Sequence, residues 1–223
     1  MPNNTFEIKN GNNQILPNAQ DANQYFIGDS AIMIAQRASG NVVDGQLTDM
    51  TSFSGTFPVK VEPELWREIH LTLCEDELKR STVVCVTGED GVGITTFLSQ
   101  FARQHRDNCV SYFYNRFDII QLNLEVMEHD ITEQLYWYAT KSKCPSEVKH
   151  ITDVYSMVQR KLRQSQEGIM YFVFDGFDKI PSEHKENICK LIEILRWEKA
   201  RFLFSGKKEQ IEDLFKKNRK LFI

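Results

Sequence analysis

The segment best suited to chemistry is Thr87-Gly-Glu-Asp-Gly-Val-Gly-Ile-Thr-Thr-Phe97. Gly88, four intervening residues and Gly93 match the glycine spacing of G-x-x-x-x-G-K-[ST], a pattern whose backbone wraps phosphate groups. A loop of this kind needs positive φ angles and close backbone approach, which glycine permits, and it turns amides and a helix N-terminus toward the anion. Thr95 stands where a hydroxyl would ligate magnesium. Ile94 stands where the pattern has lysine, the residue that reaches the terminal phosphates and offsets their charge during transfer. Losing an oriented charge contact of that kind costs on the order of a few kcal/mol in the transition state. The loop therefore predicts phosphate binding without rapid hydrolysis.

A second cluster closes the run Ile169-Met-Tyr-Phe-Val-Phe-Asp175-Gly-Phe-Asp178. An apolar strand that ends in carboxylates places them where open α/β sheets contact their ligands. Asp175 could hold magnesium through water, and Asp178 could orient a water molecule or contact the same ion. The simpler alternative is that both aspartates cap the turn after the strand, as Asp commonly does. The glycine loop about 80 residues earlier favours the nucleotide-site reading, because the two patterns belong together.

With both segments in view, the chain resembles the STAND-type P-loop NTPases, the NACHT and NB-ARC kin. Gly88-Glu-Asp-Gly-Val-Gly-Ile-Thr-Thr96 is similar to their G-x-x-G-x-G-K-T-T, and Phe172-Val-Phe-Asp-Gly-Phe-Asp178 to their hydrophobic-strand D-G-h-D signature. The resemblance covers roughly Pro63 to Ile223. It implies ATP or ADP with magnesium as cofactor, bound by Gly88, Gly91, Gly93, Ile94, Thr95 and Thr96, with Thr95 and Asp175 on the metal. Ala200-Arg-Phe-Leu-Phe-Ser205 looks like the strand after which the family carries a nucleotide-sensing polar residue. Ser205 takes that place here, while Gly206-Lys-Lys208 follows where an arginine is usual. The implied fold is a three-layer α/β core with a five-stranded, mainly parallel sheet in the order 5-1-4-3-2. Without its lysine the chain looks like the reduced, inactive STAND modules of bacterial conflict systems, thought to act as scaffolds or adaptors beside a separate effector.

The elements that must position these residues follow from periodicity. From Pro63 onward the chain predicts a helix with Leu65, Trp66, Ile69, Leu71 and Leu73 near helical spacing, behind a proline suited to a first turn. Strand signals at Thr82–Thr87, Cys109–Tyr114, Ile169–Phe174 and Ala200–Ser205 alternate with helical ones near Thr95–His105, Asn123–Thr140, Ile151–Gln166 and Glu183–Leu195. A helix near Lys208–Lys217 and a terminal Lys220-Leu-Phe-Ile223 complete the pass. Strand and helix in alternation imply a parallel sheet with crossover helices.

Residues 1–57 differ in kind. They are rich in Asn, Gln, Gly and Ser, and up to Thr56 carry only Lys9 and Arg37 as cations against Glu7, Asp21, Asp29, Asp44 and Asp49. Such a stretch buries little core, so it reads as a disordered or loosely docked arm ahead of a domain at 58–223. Asn12-Asn-Gln-Ile-Leu16 and Ser39–Gly45 also have the composition of a self-pairing β segment.

With 223 residues and a net charge of −4, the whole chain lacks the basic excess that non-specific phosphate-backbone binding needs, so nucleic acid is not the expected partner. The five cysteines are scattered without a C-x-x-C pair, which predicts plain thiols in a reducing compartment. The start has no apolar signal core and the apolar runs are too short to span a bilayer, so a cytoplasmic chain without membrane contact is expected. The five histidines form no H-x-x-x-H pair, and Leu135-Tyr-Trp-Tyr138 reads as core lining. From Arg196 onward nine cations face four acids, a solvated face or a docking surface for an acidic partner. The leading expectation is a non-hydrolysing scaffold or adaptor that assembles with like chains or with a protein effector in signalling or antiviral defence. Its rivals are a slow ATPase in which Lys179 or Lys207 replaces the missing lysine, and a scaffold that binds no nucleotide and polymerises through its arm.

Overall fold

Val-Val-Cys-Val, Cys-Val-Ser-Tyr-Phe, Met-Tyr-Phe-Val-Phe-Asp and Ala-Arg-Phe-Leu-Phe-Ser are the β-branched and aromatic runs of the chain, and each forms a strand: β1 Val83–Val86, β2 Cys109–Phe113, β3 Met170–Asp175 and β4 Ala200–Ser205. In the computed structural model the described residues are 12–13, 26–27, 56–58, 67–89, 91–114, 124–145, 150–165 and 168–207. The four strands form one sheet in the order β1-β4-β3-β2, with every neighbouring pair parallel. Five helices connect or flank them: α1 Glu68–Arg80, α2 Ile94–Gln104, α3 Leu124–Thr140, α4 Ile151–Gln164 and α5 Ser182–Leu195.

Alternation along the strands divides the core in two. Val110, Tyr112, Phe172, Phe174, Phe202 and Phe204 face the side covered by α3, α4 and α5. Phe172 stacks on Phe202 with ring centroids 5.1 Å apart, and Phe174 on Phe204 at 5.4 Å. The intervening residues, Phe113, Val173 and Leu203 among them, face α1 and α2, where Leu71, Leu78, Leu98 and Phe101 close the second layer. The result is three layers, helix, sheet and helix. Period 2 carries a functional consequence: Asp175 and Ser205 fall on the same face as Val173 and Leu203, the one that bears α2 and its glycine loop.

Four of the five expected strands are present among the described residues; residues 208–223, with the expected last helix and Lys220–Ile223, lie outside them. Two expectations about the first helix are revised. The first helix begins at Glu68 and runs on to Arg80, so Pro63 is not in its first turn. Its buried stripe is Leu71, Cys74 and Leu78, while Ile69 and Leu73 are 75% and 63% exposed. A helix stripe needs spacings of three, four and seven, and Leu71, Cys74 and Leu78 have them whereas Ile69, Leu71 and Leu73 do not.

Of the arm, Asn12–Asn13 pairs antiparallel with Phe26–Ile27, and the expected Ser39–Gly45 segment lies outside the described residues. Thr56 and Phe57, on the arm side of the expected boundary, pack on β2. The Thr56 hydroxyl accepts the Phe113 amide at 2.9 Å, and the Phe57 ring meets Phe113 edge-on with Arg103 over its face.

Among the described residues β2 is an edge of the sheet, and side chains close the outer groups of Ser111 and Phe113. Gln134 on α3 accepts the Ser111 N–H and donates to the Ser111 carbonyl, both at 2.8 Å, and also donates to Asp130 at 2.7 Å. Next to Gln134 on the same helix, Glu133 lies 3.6 Å from His129 one turn earlier, and neither the Glu133 Oε2 nor the His129 Nε2 has a hydrogen-bond partner among the described residues. Burial pushes the Glu133 carboxyl up to about 7, with Asp130 adding to the effect and Lys143 opposing it. Burial, then the charge of Lys143, pushes the His129 imidazole down. Because Glu133 is raised, the folded protein holds a proton that the unfolded chain releases. Its contribution is complete below the unfolded value and is lost as pH rises through about 7. Glu133→Gln should leave stability at pH 4.5 nearly unchanged and raise it by about 1–3 kcal/mol at pH 8. Urea unfolding of both proteins at the two pH values checks this; equal curves at pH 8 would contradict it.

Among the described residues no helix is long and apolar enough to cross a membrane.

Candidate functional site

The glycine loop lies between β1 and α2, at the carboxyl end of the sheet. Gly91 and Gly93 hold φ of +87° and +86°, the left-handed region that L side chains rarely adopt, so here the sequence requirement is met by the backbone itself. Gly93 caps α2, and its carbonyl accepts the Phe97 amide at 2.9 Å. The next residues, Ile94, Thr95 and Thr96, form the first turn of α2, with both threonines exposed.

Thr95, Asp175 and Ser205 meet although they come from three elements. The Thr95 hydroxyl donates to Asp175 Oδ2 at 2.6 Å across 80 residues of sequence. The Ser205 hydroxyl donates to Asp175 Oδ1 and accepts the Gly176 amide at 2.8 Å. Asp175 and Ser205 are both buried, so each carboxylate oxygen is matched by one hydroxyl proton. Gly176 makes the turn after β3 with φ +73°, and a Cβ there would lie 2.9 Å from the Tyr114 carbonyl. That carbonyl belongs to the residue whose own amide bonds Asp175 O at 3.0 Å, so the turn is packed tightly against the end of β2.

This donor set fits a small hard cation. Magnesium takes oxygen ligands at about 2.0–2.1 Å in an octahedron, which sets neighbouring ligand oxygens about 3 Å apart. Thr95 Oγ1 and Asp175 Oδ2 are already within 2.6 Å, so a slight opening exchanges their hydrogen bond for a shared ion. Among the described residues no group of three His, Cys, Asp or Glu side chains forms a metal site, so a cation here would complete its shell with phosphate and water.

At the lysine position the geometry is apolar. A Cβ placed on Gly88 would find Val92 Cγ2 at 3.0 Å and Ile94 Cδ1 at 3.3 Å, so Ile94 lies back over the first glycine of the loop. Asp178 sits on the short 3-10 turn Phe177–Lys179, with its side chain outside the described part. Lys179 and Lys207 are exposed residues just beyond the ends of β3 and β4. The cation whose contact with the loop is seen is neither of these, and sequence spacing does not single it out. The guanidinium of Arg67, 26 residues before Gly93, reaches the loop and donates to the Val92 carbonyl at 2.6 Å.

None of the five cysteines is in a disulfide; burial pushes Cys74 up to about 12 and Cys109 up still further, which leaves both unreactive. No protein-family model and no curated protein matches the chain.

Proposed function

We propose that this chain is a degenerate STAND-type nucleotide-binding module, a non-hydrolysing scaffold or adaptor in a signalling or antiphage-defence assembly. The observation that carries the reading is the Thr95–Asp175–Ser205 cluster beneath a glycine loop whose lysine position holds Ile94. The strand order β1-β4-β3-β2 supports it, being the last four places of 5-1-4-3-2. A nucleotide would lie with its phosphates against the loop amides and the N-terminus of α2. Magnesium, when bound, would neutralise phosphate charge between Thr95 and Asp175. Ser205 holds the Asp175 carboxylate toward Thr95 and would report on the occupancy of the site through that contact.

Turnover needs charge stabilisation at the transferred phosphoryl group, and Ile94 supplies none. A bound nucleotide is then a structural ligand that fixes one arrangement of the domain for a protein partner, whether an effector or a second copy. The packing of Ile94 and Val92 over Gly88 favours a second reading, in which the loop takes no nucleotide and the fold alone is the scaffold.

Calorimetry with ATP and ADP in magnesium, alongside phosphate release, separates these readings. Binding is expected with release at background. A robust rate abolished by Asp175→Asn would replace the scaffold reading with an ATPase switch, and absence of binding would leave the fold-only scaffold. Light scattering alone and with proteins encoded nearby tests assembly; a strict monomer that captures none of them would remove the scaffold role.

A further inference from the structure

The loop between β1 and α2 can hold an anion only if its N–H groups, and not its carbonyls, face the ligand. At Val92–Gly93 the local chain does not fix that orientation. Glycine populates positive and negative φ about equally, so the peptide ahead of Gly93, now at φ +86°, can turn over without steric penalty from that residue. Turned over, it would set the Val92 oxygen where the Gly93 N–H now stands and repel a phosphate.

Arg67 fixes the peptide from behind. Its Nη2 donates to Val92 O at 2.6 Å and lies 2.9 Å from where a Cβ on Gly93 would stand, so the guanidinium occupies the space that glycine leaves. A trans peptide points its C=O and N–H in opposite directions. With the carbonyl turned to Arg67, the Gly93 N–H faces away from the guanidinium, and it has no acceptor among the described residues. The Val92 N–H is held as well, donating to Glu89 O at 3.3 Å within the loop. The clamp is rooted in two helices: the Arg67 N–H donates at 3.2 Å to Oε1 of the fully buried Gln100 on α2, and its carbonyl accepts the Leu71 amide of α1 at 3.0 Å. None of these bonds requires a ligand, so the peptide is oriented in advance of binding.

Resting on the nucleotide-site reading above, we infer that Arg67 is a positioning residue of this site: by holding the Val92 carbonyl, it keeps the Gly93 N–H turned to the side where phosphate binds. The guanidinium touches no phosphate, and its effect passes through one peptide group.

Val92–Gly93 is the one Val-Gly pair in the sequence, so carbonyl-13C valine and 15N glycine together give a single correlated amide signal from this peptide. The test follows that signal, and the affinity for magnesium pyrophosphate and magnesium ATP, in the full chain, Arg67→Met and Arg67→Lys. Methionine removes the donors; lysine keeps one. In the wild type, saturation with either probe should move the Gly93 amide proton downfield, as a new hydrogen bond does. In Arg67→Met the Val92 carbonyl carbon should shift upfield before any probe is added. Affinity for both probes should then fall about tenfold or more, with a smaller loss in Arg67→Lys. The loss should persist in about 0.5 M salt, because salt screens a direct charge contact but not the orientation of a peptide. Wild-type affinity in Arg67→Met, a loss that disappears in high salt, or a wild-type Gly93 amide unmoved at saturation overturns the inference, while probe binding keeps the site reading. If Arg67→Met does not fold, the wild-type signal and Arg67→Lys decide. Wild-type protein that binds neither probe would instead remove the nucleotide site itself, and Arg67's role with it.

Discussion

Asp175→Ala should lower the unfolding free energy by about 2 kcal/mol with neither magnesium nor nucleotide present. Two hydroxyls converge on this buried carboxylate, Thr95 Oγ1 on one oxygen and Ser205 Oγ on the other. Hydrogen bonds to a charged group contribute about 1.5–3 kcal/mol each, and the Ser205 hydroxyl, buried, would lose its acceptor with no water to replace it. Removing a buried charge returns part of its desolvation cost, which keeps the net below the sum of the two bonds. Thr95 is exposed, so its freed hydroxyl is rehydrated. Asp175→Asn should cost less, since its carbonyl oxygen still accepts one of the two protons. Urea unfolding of the apo protein decides the matter. A carboxylate that only awaited a metal would leave apo stability at the wild-type value in both variants, and that result would refute the structural role.

Much of this site was legible because it depends on local chemistry. Glycine at 91 and 93 is required wherever φ is near +87°, and a strand ending in Asp175 before Gly176 is a local pattern too. The register that joins Thr95 to Asp175 is not local, but the period of two in β3 and β4 already puts Asp175 and Ser205 on one face. What stayed hidden depends on packing between distant segments. Arg67 is one arginine just ahead of α1, and nothing in its sequence neighbours says that its guanidinium ends at Val92. The buried face of the first helix is hidden for a related reason: Ile69 and Leu73 are as apolar as Leu71, and only the sheet decides which side is inside. Gln134 sits in an aromatic-rich helix where an amide looks like a solvent-facing residue, yet it is fully buried.

That amide makes the larger prediction. Gln134→Leu should destabilise the domain by about 3–4 kcal/mol and convert β2 into an edge open to other chains. Gln134 satisfies both the N–H and the C=O of Ser111, a residue with no exposure to water, and gives a proton to Asp130 as well. Leucine has similar volume, so the loss is mainly of hydrogen bonds: two buried backbone groups are left unmet, at about 1–3 kcal/mol each. Side chains that cover an edge in this way stop it from pairing with another strand. Unfolding at low protein concentration should show the loss of stability, and scattering at high concentration should show association that the wild-type edge prevents. Glu is the sharper control. It can still accept the Ser111 N–H but cannot donate to the Ser111 carbonyl, and it sets a carboxylate beside Asp130, so at neutral pH Gln134→Glu should be no more stable than the leucine variant. Wild-type stability in either variant would mean that the bonds to Ser111 contribute nothing to the folded state. If the wild-type chain assembles while Gln134 covers β2, its contacts lie on other surfaces, and Gln134→Leu should add a second, separable mode of association instead of strengthening the first.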